Sequence, residues 1–157
     1  QRLLLTGNYL FSYDGEFVSE QRVGEEVGWP VELFECCTAN LLAYDPKKSI
    51  LLVTTLEDKI HLVQIDQNTL QTSVTTKRVP EVPSAAFYDD THGLVISVGG
   101  QMYSVDDVSA PLFACCARCV KYSGGFSLDS AGRLSKSDLF FSASWTTDFA
   151  CSDRVVV

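Results

Sequence analysis

The sequence predicts an all-β chain in which a short antiparallel sheet of four strands recurs. Three observations lead there. Apolar residues come in short alternating or β-branched runs rather than at helical spacing. Asp, Gly and Pro punctuate those runs as turn formers. One stretch is also repeated: Leu41-Leu-Ala-Tyr-Asp-Pro-Lys-Lys-Ser-Ile-Leu-Leu-Val-Thr-Thr55 resembles Ala85-Ala-Phe-Tyr-Asp-Asp-Thr-His-Gly-Leu-Val-Ile-Ser-Val98. Tyr44 matches Tyr88, Asp45 matches Asp89, Ile50 matches Leu94 and Leu52 matches Ile96.

Each element can be justified in order. Arg2–Gly7 reads as the second strand of a sheet, Tyr9–Asp14, which matches His61–Asp66, as the third and Glu16–Val23 as the fourth, which places the start of the chain in mid-sheet without a first strand. In the first internal copy, a strand ends at the Tyr44-Asp45 turn. A nearly continuous apolar strand, Ile50–Thr55, follows, as expected for burial on both faces. His61–Asp66 alternates, and Gln71–Val79, rich in Thr and Val, suits an outer strand. The second copy repeats this through Gln101–Asp106, with His61 matched to Gln101 and the Gly99-Gly100 turn replacing a longer one. Leu112–Val120 reads as one short helical turn. Gly125–Leu134 holds a strand, an Asp-x-x-Gly turn and the start of another strand. Asp138–Trp145 and Arg154–Val157 read as strands, with Trp145 in the core.

Four short antiparallel strands every ~40–45 residues make the blade of a β-propeller. The expected blades are residues 1–38, 39–80, 81–124 and 125–157 of a single all-β domain, 1–157. A β-sandwich with two similar hairpins is the alternative. The internal copies resemble propellers with a Tyr-Asp…Leu-x-Val hairpin, a group that includes the NHL, YVTN, semaphorin/plexin and WD-like classes. The resemblance covers residues 39–108 and implies architecture rather than one family, since no Trp-Asp closes a blade and no Gly-His opens one. Closed rings have ~4–8 blades, and this chain has room for about three to four. A partial propeller is therefore expected, completed by a protein partner or by further blades. Its Arg2–Thr6 strand would be covered by Val155–Val157 or by another polypeptide, because open sheet edges pair.

Composition narrows function. A net charge of −8 argues against a nucleic-acid backbone or an anionic membrane surface as partner. No apolar run reaches the ~20 residues of a membrane-spanning helix. Six cysteines, Cys36, Cys37, Cys115, Cys116, Cys119 and Cys151, fall in connections and suit disulfides in an extracellular or lumenal protein. Cys116-Ala-Arg-Cys119 has neither the second ligand pair of a zinc site nor the strand–helix context of a redox motif. The alternative is a cytoplasmic protein with reduced thiols.

Catalysis finds little support. There is no G-x-S-x-G, and periodicity places no Ser or Cys beside His61 or His92. No P-loop or G-x-G-x-x-G indicates a cofactor, and none is expected. Glu16, Glu20, Glu25, Glu26, Glu32 and Glu35 are six of the eight glutamates, opposed locally by Arg22 alone. They read as a solvated edge and loop or as a surface for a basic partner; the spacing lacks the alternation of a calcium loop. Asp89-Asp90 and Asp106-Asp107 read as turn residues that bond local backbone. Trp29 is either an exposed anchor or a cover for one end of the core. The reading is a non-catalytic protein–protein interaction module of a larger assembly, with Trp29, Glu25, Glu26 and Glu32 as candidate partner-binding residues. A propeller-type hydrolase or lyase and a cytosolic WD-like scaffold are the alternatives.

Overall fold

A computed structural model describes residues 3–24, 28–36, 38–114, 119–123, 126–129 and 134–136. The chain divides into two compact units, Gln1–Arg78 and Val79–Val157. Among the described residues all regular structure is antiparallel β, with three four-stranded sheets and one three-stranded sheet.

The first unit begins with β1 (Leu3–Thr6), β2 (Tyr9–Tyr13), β3 (Phe17–Arg22) and β4 (Val31–Glu35), paired in that order. The expectation of a sheet lacking its first strand is corrected here. In the sequence Val31–Glu35 is marked only by its glutamates, as part of the acidic run. It forms the fourth strand, so Leu3–Thr6 is the first strand and not the second. The second sheet is β5 (Ala39–Asp45), β6 (Ile50–Thr55), β7 (Lys59–Ile65) and β8 (Thr72–Arg78), again in sequence order. Leu51 through Thr55 of β6 are all buried, as a run apolar on both faces requires.

Pleating sends alternate side chains to opposite faces. Phe11, Val18 and Leu33 of the first sheet therefore meet Leu42, Tyr44, Leu51, Val53, Val63 and Ile65 of the second in one buried cluster. The Phe11 and Tyr44 rings lie 4.8 Å apart, and Tyr9 packs edge-on against Tyr44 at 5.8 Å. β1 packs beside β5, so the first strands of the two sheets are neighbours.

In the second unit, β9 (Ala85–Asp89), β10 (Gly93–Val98), β11 (Gln101–Ser104) and β12 (Phe113–Ala114) form one sheet. The other is β13 (Cys119–Ser123), β14 (Phe126–Asp129) and β15 (Leu134–Lys136). Here too the first strands, β9 and β13, pack together. The helical turn expected over 112–120 is not seen among the described residues: 113–114 and 119–120 are extended strand, and 115–118 lie outside the described residues. Asp138–Trp145 and Val155–Val157 lie outside the described residues. β1 forms one edge of its sheet, with Leu3 55% and Leu5 66% exposed.

The repeat rests on a shared turn. The Asp45 carboxylate accepts the amides of Lys47 and Lys48 at 2.9 and 3.0 Å, and Asp89 accepts those of Thr91 and His92 at 3.1 and 2.9 Å. Ser49 (φ 53°) and Gly93 (φ 73°), each the fourth residue after its Asp, both take the left-handed conformation. Register differs from the sequence match in two places. Tyr44 faces Leu51 while Tyr88 faces Leu94, so Leu51 rather than Ile50 is the counterpart of Leu94, and by the same shift Val53 rather than Leu52 is the counterpart of Ile96. Thr54 pairs Ile60 and Ser97 pairs Met102, which aligns Lys59, not His61, with Gln101.

Candidate functional site

A cleft of about 480 Å³ opens at one end of the gap between the two sheets of the first unit. Its first wall is the β2–β3 turn, with Gly15 and Glu16; the second is the end of β4, with Phe34, Glu35 and Cys36. Lys59 and His61 of β7 form the floor.

Local chemistry fixes the first wall. Asp14 accepts the backbone amides of Glu16 and Phe17, both at 2.8 Å. Those bonds hold its carboxyl below the ordinary value. Gly15 has φ 106°, a conformation that side chains disfavour. Tyr13 Oη lies 2.8 Å from the Gly15 carbonyl and 2.9 Å from that of Cys36, within donating reach of each, and the Cys36 amide donates to the Glu16 carbonyl at 2.8 Å. The turn and the end of β4 are thus tied together.

On the floor, His61 Nδ1 shares a hydrogen bond with Thr76 Oγ1 at 2.9 Å across the β7–β8 ladder. Its ring is tilted against Phe34, with centroids 5.1 Å apart. Burial, with help from the Lys59 charge, pushes its pKa below the ordinary value, so the imidazole is neutral at pH 7. Lys59 pairs with Glu57 at 3.1 Å.

The sequence-derived candidates fall around this cleft rather than in it. Trp29 is 90% exposed, which resolves its two readings in favour of exposure. Glu32 is exposed on β4, and Glu25 and Glu26 lie outside the described residues. Cys36 is buried; Cys119 opens β13, and Cys37, Cys115, Cys116 and Cys151 lie outside the described residues. Glu35, expected on a solvated edge, lines the cleft. Periodicity placed no Cys beside His61, yet the fold brings Cys36 and His61 to one cleft, a juxtaposition that strand alternation within one segment does not reveal. Asp89 and Asp107 bond local backbone as turn residues should. Among the described residues, no three His, Cys, Asp or Glu side chains converge as a metal site.

Glu20 departs furthest from expectation. It is 2% exposed, on the same face of β3 as Val18, instead of lying on a solvated edge. Gln67 Nε2 donates to Glu20 Oε1 at 2.8 Å and to Tyr44 Oη at 3.0 Å. Arg22 donates to the Gln67 carbonyl. Glu20 Oε2 and Gln67 Oε1 are buried with no hydrogen-bond partner. Burial pushes the Glu20 pKa up, opposed by the Gln67 bond and the Arg22 charge.

No family model matches the chain, and no curated protein matches it in sequence. A solved structure titled as a luciferin-regenerating enzyme is similar over 88% of this chain, at 16% identity and a TM-score of 0.47. The match covers 53% of that protein, so this chain spans about half its length. A likeness this distant carries no inference about activity.

Proposed function

We propose that this chain is a non-catalytic protein-binding module built of β-propeller-type blades and acting within a larger extracellular or lumenal assembly. The observation that carries the reading is Trp29. At 90% exposure it lies two residues before the edge strand β4, which opens with Val31, itself 37% exposed. Large aromatic side chains are the usual anchors of protein interfaces, and leaving one in water wastes its apolar surface. Glu32, exposed on that strand, adds negative charge to this edge of the sheet. The blade assignment draws support from the sequential four-stranded sheets, the repeated Asp-capped hairpin and the packing of first strand on first strand within each unit.

Photo-crosslinking tests the reading. Benzoylphenylalanine replaces Trp29 or, as a control, Thr75, an exposed residue of β8 in the other sheet of the first unit, and the protein is irradiated in an extract of its source cells. The expected result is a protein adduct at position 29 alone. Excess unlabelled chain should abolish it, and excess Trp29→Ala chain should not. Equal adducts at both positions, or none at 29, overturn the reading.

A further inference from the structure

We propose that the turn between β7 and β8, residues 66–70, is a latch that ionisation of Glu20 opens. It lies at the Ile65 end of β7, away from the Lys59 and His61 end that floors the cleft, and it acts whether or not Trp29 holds a partner.

Asp66 builds the turn locally. Its carboxylate accepts the amides of Asn68 and Thr69 at 2.9 and 3.3 Å, as Asp45 and Asp89 do for the amides of their own hairpins. Leu70, the fourth residue after Asp66, has φ 59°, a left-handed conformation that costs a leucine free energy, and its side chain packs on the core. What fastens this turn to the first sheet is Gln67. Its Nε2 donates to Glu20 Oε1 on β3 at 2.8 Å and to Tyr44 Oη on β5 at 3.0 Å, and Arg22 of β3 donates to its carbonyl. The polar fastening passes through one residue, and the turn it holds is strained.

The carboxyl under the turn suits the neutral acid and not the carboxylate. Glu20 is 2% exposed, and its Oε2 and Gln67 Oε1 are both buried with no hydrogen-bond partner. A proton on Glu20 removes the charge from this site and adds an O–H donor to a site that is short of donors. The carboxylate has neither benefit, and water becomes available to it only if the turn lifts. The surrounding elements do little to replace that water. β2 and β4 place Phe11 and Val31 opposite Glu20 in the ladder, and Val18 shares its strand face. β5 brings Tyr44 Oη, which accepts from Gln67, and Asp66 holds its own backbone. The Arg22 charge favours the carboxylate, but burial outweighs it and holds the Glu20 pKa above 4.5. In the open turn the carboxyl meets water and titrates near its ordinary value. The opening equilibrium therefore rises with pH, by at most about tenfold per unit, from 4.5 to the raised value and is level above it.

Amide hydrogen exchange of the full chain, followed by NMR between about pH 5 and pH 8, tests the latch. The Asp66 and Leu70 amides, which donate to the Gln71 and Asp66 carbonyls, report on the turn. The amides of β6, inside the second sheet, report on unfolding of the whole unit. Dividing each rate by that of an unstructured chain at the same pH removes the intrinsic pH dependence of exchange. In the wild type, protection of the turn amides should fall about tenfold across this range, through an opening that low urea does not accelerate. In Glu20→Gln it should stay level. The Glu20 carboxyl carbon resonance, followed in the wild type alone, should titrate over the same range as the turn. Turn protection that is independent of pH in the wild type, or that falls equally in Glu20→Gln, overturns the latch. So does a carboxyl midpoint at or below 4.5. Turn amides that match β6 in both protection and urea response also overturn it, because Glu20 would then act only on unfolding of the whole unit.

Discussion

Replacing Glu20 by glutamine probes the polar end of the first unit's core. The wild-type carboxyl is 2% exposed, and its Oε2 and Gln67 Oε1 both lack a donor. Burial raises the Glu20 pKa above its ordinary 4.5. The folded chain therefore holds this proton more tightly than the unfolded chain does. The stabilisation is complete below pH 4.5 and is lost as pH rises through the raised value. One linked proton gives a slope of at most about 1.4 kcal/mol per pH unit. Above that window the ionised carboxylate retains an unsatisfied buried oxygen, which costs about 1–3 kcal/mol. Glutamine carries no charge to desolvate, and its amide offers the N–H donor that Gln67 Oε1 lacks. E20Q should exceed wild type by about 1–3 kcal/mol at pH 8, and the advantage should vanish toward pH 4. For a unit of this size that is about 4–8 °C in Tm per kcal/mol. Asp14 and His61, both with lowered pKa values, contribute in the opposite sense, losing stabilisation as pH falls. Both proteins share those groups, so the difference between variants isolates Glu20. Urea unfolding followed by far-UV circular dichroism at a series of pH values measures it. An E20Q chain less stable at pH 8, or a difference independent of pH, would refute the reasoning.

Further outcomes follow from individual contacts. Thr54→Val should cost about 1–2 kcal/mol in urea unfolding, because Thr54 Oγ1 accepts the Leu41 amide at 3.0 Å within the β5 bulge. Ser49→Gly should raise stability by about 0.5–1 kcal/mol in the same assay, since relief of a left-handed serine outweighs the added freedom of the unfolded chain. Non-reducing peptide mapping should find Cys36, Cys37, Cys115, Cys116, Cys119 and Cys151 mostly oxidised; six alkylated thiols in native protein would overturn the extracellular or lumenal placement.

The parts of the fold legible in the sequence are those that short-range chemistry dictates. Asp45 and Asp89 announce their hairpins because a carboxylate two and three residues before backbone amides caps them wherever the chain turns. β6 is legible because few residues other than apolar ones can occupy a strand buried on both faces. Register was less so. The match of His61 to Gln101 slipped by two residues, which keeps every side chain on its face and leaves the pattern intact. The match of Ile50 to Leu94 slipped by one, hidden because all of Leu51 through Thr55 are buried and neither face is marked by polarity. β4 is obscured in the sequence for a different reason. Val31-Glu-Leu-Phe-Glu35 alternates only in part, and its two glutamates merge with the acidic run before it.

Glu20 and the cleft were hidden by one shared circumstance. A strand cannot turn individual residues away from the face that its period of two assigns them. Glu20 lies two residues beyond Val18 on β3, and Val18 belongs to the core, so Glu20 must point at the second sheet. Lys59 and His61 precede Val63 and Ile65 at the same spacing on β7, so they share the face that packs against the first sheet. Polarity read one residue at a time sends all three to solvent. Their strands send them inward, and the two ends of the core meet the demand differently. At one end Gln67 and Tyr44 close over the Glu20 carboxyl, leaving two oxygens without donors. At the other, a Lys and a His side by side leave the gap open as the cleft, with Phe34 against the imidazole and Glu16 and Glu35 at its walls. The polar residues that interrupt an otherwise apolar strand face are thus what open the cleft, and a period-two reading carried along each strand, from Val18 to Glu20 and from Ile65 back to Lys59, is the sequence signal that marks them.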